Sequence, residues 1–132
     1  RFHAGRIRQS HEKIDLSRGA YDGKYLYIRN YMPHRPQGQH LAYMFQTPTT
    51  RVWHSLFEQK ALNSAQVFFW NPKPPEELYD VENDPDQIHN LAADADARET
   101  LGRLRQAQQS WCRSIRDLGF LPEGEMHRRA QG

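Results

Sequence analysis

Cysteine is nearly absent from this chain. Cys112 is the one cysteine in 132 residues, so no internal disulfide can form and cysteine usage does not fix the redox compartment. No run of eighteen apolar residues occurs, so nothing reads as a membrane-spanning helix. A surplus of one charge is missing too. Eighteen Lys and Arg against sixteen Asp and Glu leave a net charge of +2, which gives no strong electrostatic footprint for nucleic acid or an anionic membrane. The arginines do cluster towards both ends, from Arg1 to Arg18 and from Arg103 to Arg129, and solvated faces and helix-end charges account for them. No signal peptide is visible and the first residue is Arg1, not Met. Both are expected if the true N-terminus lies upstream and the chain is a fragment. No internal repeat or low-complexity tract is present.

What is there is polar. Hydrophobic residues make up 37% and mean hydropathy is −0.95, with eight prolines. A chain of this size can form one domain with a modest core, but this composition fits a piece that packs against a larger partner surface.

Periodicity divides the chain. Residues 1–15 are mixed and polar and read as a leading loop. Ser17 to Tyr21 and Lys24 to Asn30 read as two strands joined at Asp22-Gly23, a type I′ hairpin signal. Tyr25, Tyr27 and Arg29 fall on one face, Leu26, Ile28 and Asn30 on the other, which implies one core-facing and one aromatic face. Met32 to Pro48 holds three prolines, a glycine and two histidines, and long loops within compact units often carry function. Thr49 or Thr50 can cap a helix through Gln59 with Val52, Trp53, Leu56 and Phe57 as its stripe. Asn63 can cap a second helix from Ser64 to Trp70.

Glu77 to Val81 alternates polar and apolar, a third strand, and Asn83-Asp84-Pro85-Asp86 is a turn before a helix entry. Asp96 and Glu99 have capping-box spacing for a helix running to about Leu118, with Gly119 as its C′ residue. Its stripe is Ala97, Leu101, Leu104, Trp111, Ile115 and Leu118, with Gln108 the odd member of the seam. The expectation is an α+β fold: a small antiparallel sheet of about four strands packed with a long C-terminal helix, plus short helices in an insertion.

The segment Glu77-Leu78-Tyr79-Asp80, then Asp84-Pro85, then Asn90-Leu91-Ala92, followed by a long amphipathic helix, resembles the C-terminal end of sulfatases of the alkaline-phosphatase superfamily. Gln87 stands where an acidic residue is usual. Asp22 to Tyr31 is similar to a hairpin strand of that family. Met32 to Met44 and Gly119 to Met126 resemble segments of bacterial enzymes related to N-sulfoglucosamine and heparan sulfatases. The resemblance covers nearly the whole chain, in the family's order.

It implies that residues 1–132 are a C-terminal subdomain. The parent would be a sulfuric ester hydrolase acting on sulfate esters or N-sulfates of glycans, in the periplasm or outside the cell. The implied partners are the N-terminal catalytic domain, which the chain lacks, and a sulfated saccharide substrate, with no nucleic acid and no membrane. Calcium and a formylglycine nucleophile belong, by the same resemblance, to the missing catalytic domain. No catalytic residue is expected here. Cys112-Arg113-Ser114-Ile115-Arg116 has Ser114 where the formylglycine motif requires Pro, and it falls mid-helix. Asp84, Asp86, Asp94 and Asp96 read as turn and cap residues rather than calcium ligands. The seven histidines lack zinc-ligand spacing.

Four loop residues are candidates for substrate binding: His34, Arg35, Gln39 and His40. Arg presents a planar donor fork to sulfate and carboxylate, while His and Gln serve hydroxyls. Gly38 between them would let backbone approach a ligand. The competing reading makes this loop a docking element, its polar groups satisfied by the catalytic domain. Tyr43, Trp53 and Trp70 could stack on sugar rings or fill a core. Arg8 to Asp15 corresponds to a family stretch from which Gln9, Ser10 and His11 depart. The alternative to a sulfatase part is a non-catalytic carbohydrate-binding or interaction module.

Overall fold

In a computed structural model of the chain, residues 3–8 and 15–130 are described. Four strands, β1 (His3–Arg8), β2 (Ser17–Tyr21), β3 (Tyr25–Asn30) and β4 (Glu76–Asp80), form one antiparallel sheet in chain order. The helices are α1 (Pro48–Glu58), α2 (Ser64–Val67), α3 (Arg98–Ser114) and α4 (Glu123–Ala130), and three short 3-10 turns lie between them. The α+β architecture stands as expected, with one addition. His3–Arg8 pairs with β2, from His3 opposite Tyr21 to Arg8 opposite Ser17, where a loop is expected from the polar sequence. The departures at Gln9, Ser10 and His11 lie outside the described residues.

The hairpin forms at the expected place, shifted by one residue. Asp22 donates its N–H to Tyr25 O (3.2 Å), so Gly23 and Lys24 are the central pair, and Gly23 alone of the two has positive φ (+110°). That is the type II′ pattern rather than I′. The reason is the Asp22 carboxylate, whose Oδ1 accepts the N–H groups of Lys24 (3.0 Å) and Tyr25 (2.7 Å) and keeps Asp22 at the first corner.

Strand alternation and register set the faces. Ala20, Tyr27 and Leu78 stand opposite one another across β2, β3 and β4 and share a face. On it sit Leu101 and Leu104 of α3, and these five residues form the buried core. The aromatic face and the core face are therefore the same face. Around it, Tyr27 donates its phenol to Glu76 Oε1 (2.6 Å), and Arg105 grips both Glu76 oxygens (2.7 and 2.8 Å). Arg105 holds the Glu76 carboxyl below its ordinary range, against some burial, while burial and Glu76 push the Tyr27 phenol up.

The opposite face is closed with polar side chains. Ser17 Oγ donates to Asn30 Oδ1 (2.7 Å), Asn30 Nδ2 donates to Pro74 O (2.8 Å) and Glu77 Oε1 (2.5 Å), and Tyr79 donates to Glu77 Oε2 (2.7 Å). All four side chains are buried. Each bond satisfies a group whose burial would otherwise cost about 1–3 kcal/mol. Beside this network Lys73 and Asp15 form a buried ion pair.

The end of α3 departs from expectation. The helix stops at Ser114, not near Leu118, because Arg116 takes a left-handed conformation (φ +49°). Arg116 N–H donates to Arg113 O and Asp117 N–H to Cys112 O (both 3.1 Å), the paired hydrogen bonds of a Schellman end with Arg116 as C′. Turned back in this way, Asp117 meets the fully buried Arg18 of β2 through Nε (2.5 Å), while the guanidinium lies 5.2 Å from the Phe120 ring centroid. Gly119 is needed for that contact, since a Cβ there would run into Arg18 Nη2. The stripe is covered only in its first half. Trp111 is half-buried, Ile115 and Leu118 are 46% and 57% exposed, and Gln108 is wholly buried in the seam. At the other end Ala97, not Asp96, occupies the N-cap, and the Asp96 N–H that a capping box would give to Glu99 goes to Asp94 Oδ1 instead (2.9 Å).

Candidate functional site

Between β3 and β4 the chain leaves the sheet for more than forty residues. Prolines and the lack of a periodic apolar pattern keep 32–43 out of helix and strand. The loop is nonetheless pinned. Gly38 N–H donates to Phe69 O (2.8 Å), Lys73 N–H to Pro33 O (2.9 Å), and Pro36 faces Pro72 in an isolated bridge. The returning segment before β4 thus serves as its backbone partner.

The centre of the insertion is a ring cluster around Trp70, which is 7% exposed. His54 (4.9 Å), Phe69 (5.0 Å) and Trp53 (5.4 Å) meet it edge-on, and Phe57 lies at 6.1 Å. Trp53 stacks on Phe69 at 4.6 Å. The Trp70 Nε1–H has no partner among the described residues. Trp70 is therefore a core residue, as aromatic side chains at helical spacing usually are. Asn63 caps α2 as its sequence indicates, in a full capping box with Gln66 (2.9 and 3.1 Å), but α2 ends at Val67. Helix α1 starts at Pro48, after Thr47, whose side chain makes no capping bond.

The four candidate residues occupy the outer side of this assembly. His40 is exposed at its edge but stacks on Phe45 (4.4 Å, 23° between planes). His34 is exposed, and Arg35 and Gln39 are half-buried. Arg35 N–H closes a turn on Met32 O (3.1 Å). Gly38 has a role other than ligand approach. A Cβ there would lie 2.6 Å from Trp70 Cε3 and 2.7 Å from Phe69 Cε1, so the missing side chain lets the rings pack under the loop. The arrangement offers a guanidinium, two imidazoles and an amide on a loop whose backbone is fixed from beneath.

Cys112 lies half-buried on α3, 3.0 Å from the Gln108 Nε2 donor. Burial, and then the Asp117 charge, push its thiol up, which disfavours the thiolate a nucleophile needs. Together with Ser114 in place of proline, this makes Cys112 a poor fit for a formylglycine precursor. Asp84 and Asp94 spend their carboxylates on backbone: Asp84 accepts from Ile88 and His89 N–H (3.1 and 2.8 Å), Asp94 from Asp96 N–H. Among the described residues no group of three His, Cys, Asp or Glu side chains is placed to hold a metal ion.

Two roles escape sequence reasoning, although Trp70 itself stands among the aromatics that could fill a core. Trp70 as the hub was signalled only by the run Phe68-Phe69-Trp70, which is not helical in full. Asn90 caps the 3-10 turn Leu91–Ala93 and also accepts Leu78 N–H (2.9 Å) and donates to Glu76 O (3.2 Å). It thereby acts as a partner for the open edge of β4.

No protein-family profile matches the chain. It is 34% identical over 115 residues to the ulvan-active sulfatase of Formosa agariphila, a match covering 86% of this chain and 19% of that protein. The chain is thus a relative of part of a sulfatase, as its motifs suggest, and it spans about a fifth of that relative's length.

Proposed function

We propose that this chain is the C-terminal subdomain of a sulfatase that hydrolyses sulfate esters or N-sulfates of glycans in the periplasm or outside the cell. Its tasks are to stabilise the catalytic domain and to complete the rim of the substrate pocket. The observation that carries the reading is the breadth of the similarity, which takes in 86% of the chain and with it both sheet and insertion. The nucleophile and the calcium ligands belong to the catalytic domain. The 132-residue chain alone is therefore inactive, in keeping with the raised thiol of Cys112.

Within the pocket the contribution comes from His34, Arg35, Gln39 and His40. Arg35 supplies a planar cation to a sugar sulfate or carboxylate, and the other three supply neutral donors and acceptors to hydroxyls. A loop fixed from beneath by Gly38 and the Trp70 cluster loses little further freedom on binding. These contacts are to the saccharide and not to the sulfur centre. In the full-length enzyme, Arg35→Ala should raise KM for a sulfated saccharide more than for a small aryl sulfate. Equal effects on both substrates would make the loop a docking element.

A further inference from the structure

Helix α1 contributes no buried residue to the chain's own interior. It rests on the turn Met44–Gln46 and reaches the ring cluster through Trp53, His54 and Phe57. Its other apolar side chains are uncovered, with Val52 at 59% and Leu56 at 37% exposure. Together with Pro48, Trp53 and Leu62 they line an open groove of about 540 Å³ in which no charged residue takes part. An eleven-residue helix is marginal in water unless tertiary packing holds it, and a groove of this kind is the mark of an interface.

We infer that this groove is the seat of the catalytic body of the parent sulfatase, an inference that rests on the function proposed above. The chain matches 19% of its relative's length, so four-fifths of such a protein remain to cover the surface. A covalently joined body meets the groove at high effective concentration, so an apolar contact of modest area suffices. The helix does not have the character of a membrane-surface helix, which carries a Lys- and Arg-rich polar face. Its charged residues are Arg51 and Glu58, one of each sign.

The test compares the full-length enzyme with the 132-residue chain. Val52→Asp and Leu56→Asp place a carboxylate in the groove. In the full-length enzyme both should lower Tm by several degrees and expose residues 48–66 to faster hydrogen exchange. In the 132-residue chain, where Val52 already faces water and Leu56 is part-exposed, Tm should fall by much less. Ile88→Asp, at an exposed apolar residue outside the groove, should leave both proteins unchanged. Equal loss of Tm in both proteins would overturn the inference, since the residues would then serve the chain's own fold. So would a dimer of the 132-residue chain in light scattering that Leu56→Asp dissociates, because a second copy would then be the occupant. A parent that lacks sulfatase activity yet loses Tm on Leu56→Asp would sink the functional reading and leave the docking surface standing.

Discussion

The sheet with α3 and the insertion between β3 and β4 solve burial in opposite ways. In the first region five side chains close on one another, and four of them (Ala20, Tyr27, Leu78 and Leu104) are fully buried. Its charged groups are locked as well, Arg18 with Asp117 and Glu76 with Arg105. In the second, Trp70 alone of the large apolar residues is buried, and neither α1 nor α2 has a buried residue. The same chain thus contains a region finished by its own side chains and one that is half a structure. Marginal overall stability makes that difference measurable, since a few kcal/mol separates folded from unfolded.

The sharpest break of the comparison lies in the ion pair beneath Gly119. Asp117→Ala would strand a buried guanidinium whose Nη2 already lacks a partner among the described residues. Urea unfolding should register a loss of about 3–5 kcal/mol. A loss under 1 kcal/mol would mean that water reaches Arg18 and that the first region is less closed than described.

Next comes the core itself. Leu104→Ala should cost about 2–5 kcal/mol, whereas Val52→Ala in the same chain should stay within about 0.5 kcal/mol. Similar values for the two would erase the contrast between the regions. Trp111, expected from its spacing to be a core anchor, is only half-buried and belongs between them.

Acid sharpens the comparison further. The Glu76 carboxyl is depressed in the folded chain, chiefly by Arg105. A depressed carboxyl adds stability above its unfolded value, near 4.5, and that stability is lost as pH falls through the lower folded value. Thermal melts should therefore decline below about pH 4.5, and Glu76→Gln should flatten that decline. An unchanged acid limb in the variant would place the acid sensitivity elsewhere.

The smallest effect has the opposite sign. Arg116 holds φ +49° at the C′ position of α3, where glycine carries no steric cost. Arg116→Gly should raise stability by about 0.5–1 kcal/mol. A decrease would show that the Arg116 side chain has contacts that outweigh its backbone conformation.

Sequence reasoning reached the first region far better than the second. The strand readings at Ser17 to Tyr21 and at Glu77 to Val81, the latter one residue late against the observed Glu76–Asp80, succeed because one face of each must be apolar or networked. It missed β1, since His3–Arg8 is held by backbone pairing with β2, which leaves no apolar alternation to read. It overran α3 because the apolar stripe continues to Leu118 past the helix, and a left-handed arginine carries no composition signal. In the insertion the cap at Asn63 was legible, being local. The Gly38–Trp70 contact joins residues thirty-two positions apart and leaves no periodic trace. Among the candidate site residues, chemistry named Arg35 and the histidines, but it could not tell that His40 is already stacked on Phe45.

The Arg18–Asp117 pair also bears on the order in which the chain comes together. Its partners are 99 residues apart, whereas the β2–β3 hairpin closes through neighbours. Hairpins form in about 1–10 μs, but a contact of such separation forms after the intervening loop entropy has been met. A hairpin closed by itself leaves the Arg18 cation uncovered, and the pair can close only once α3 has wound and turned back on itself. Until then the first region is as incomplete as the second.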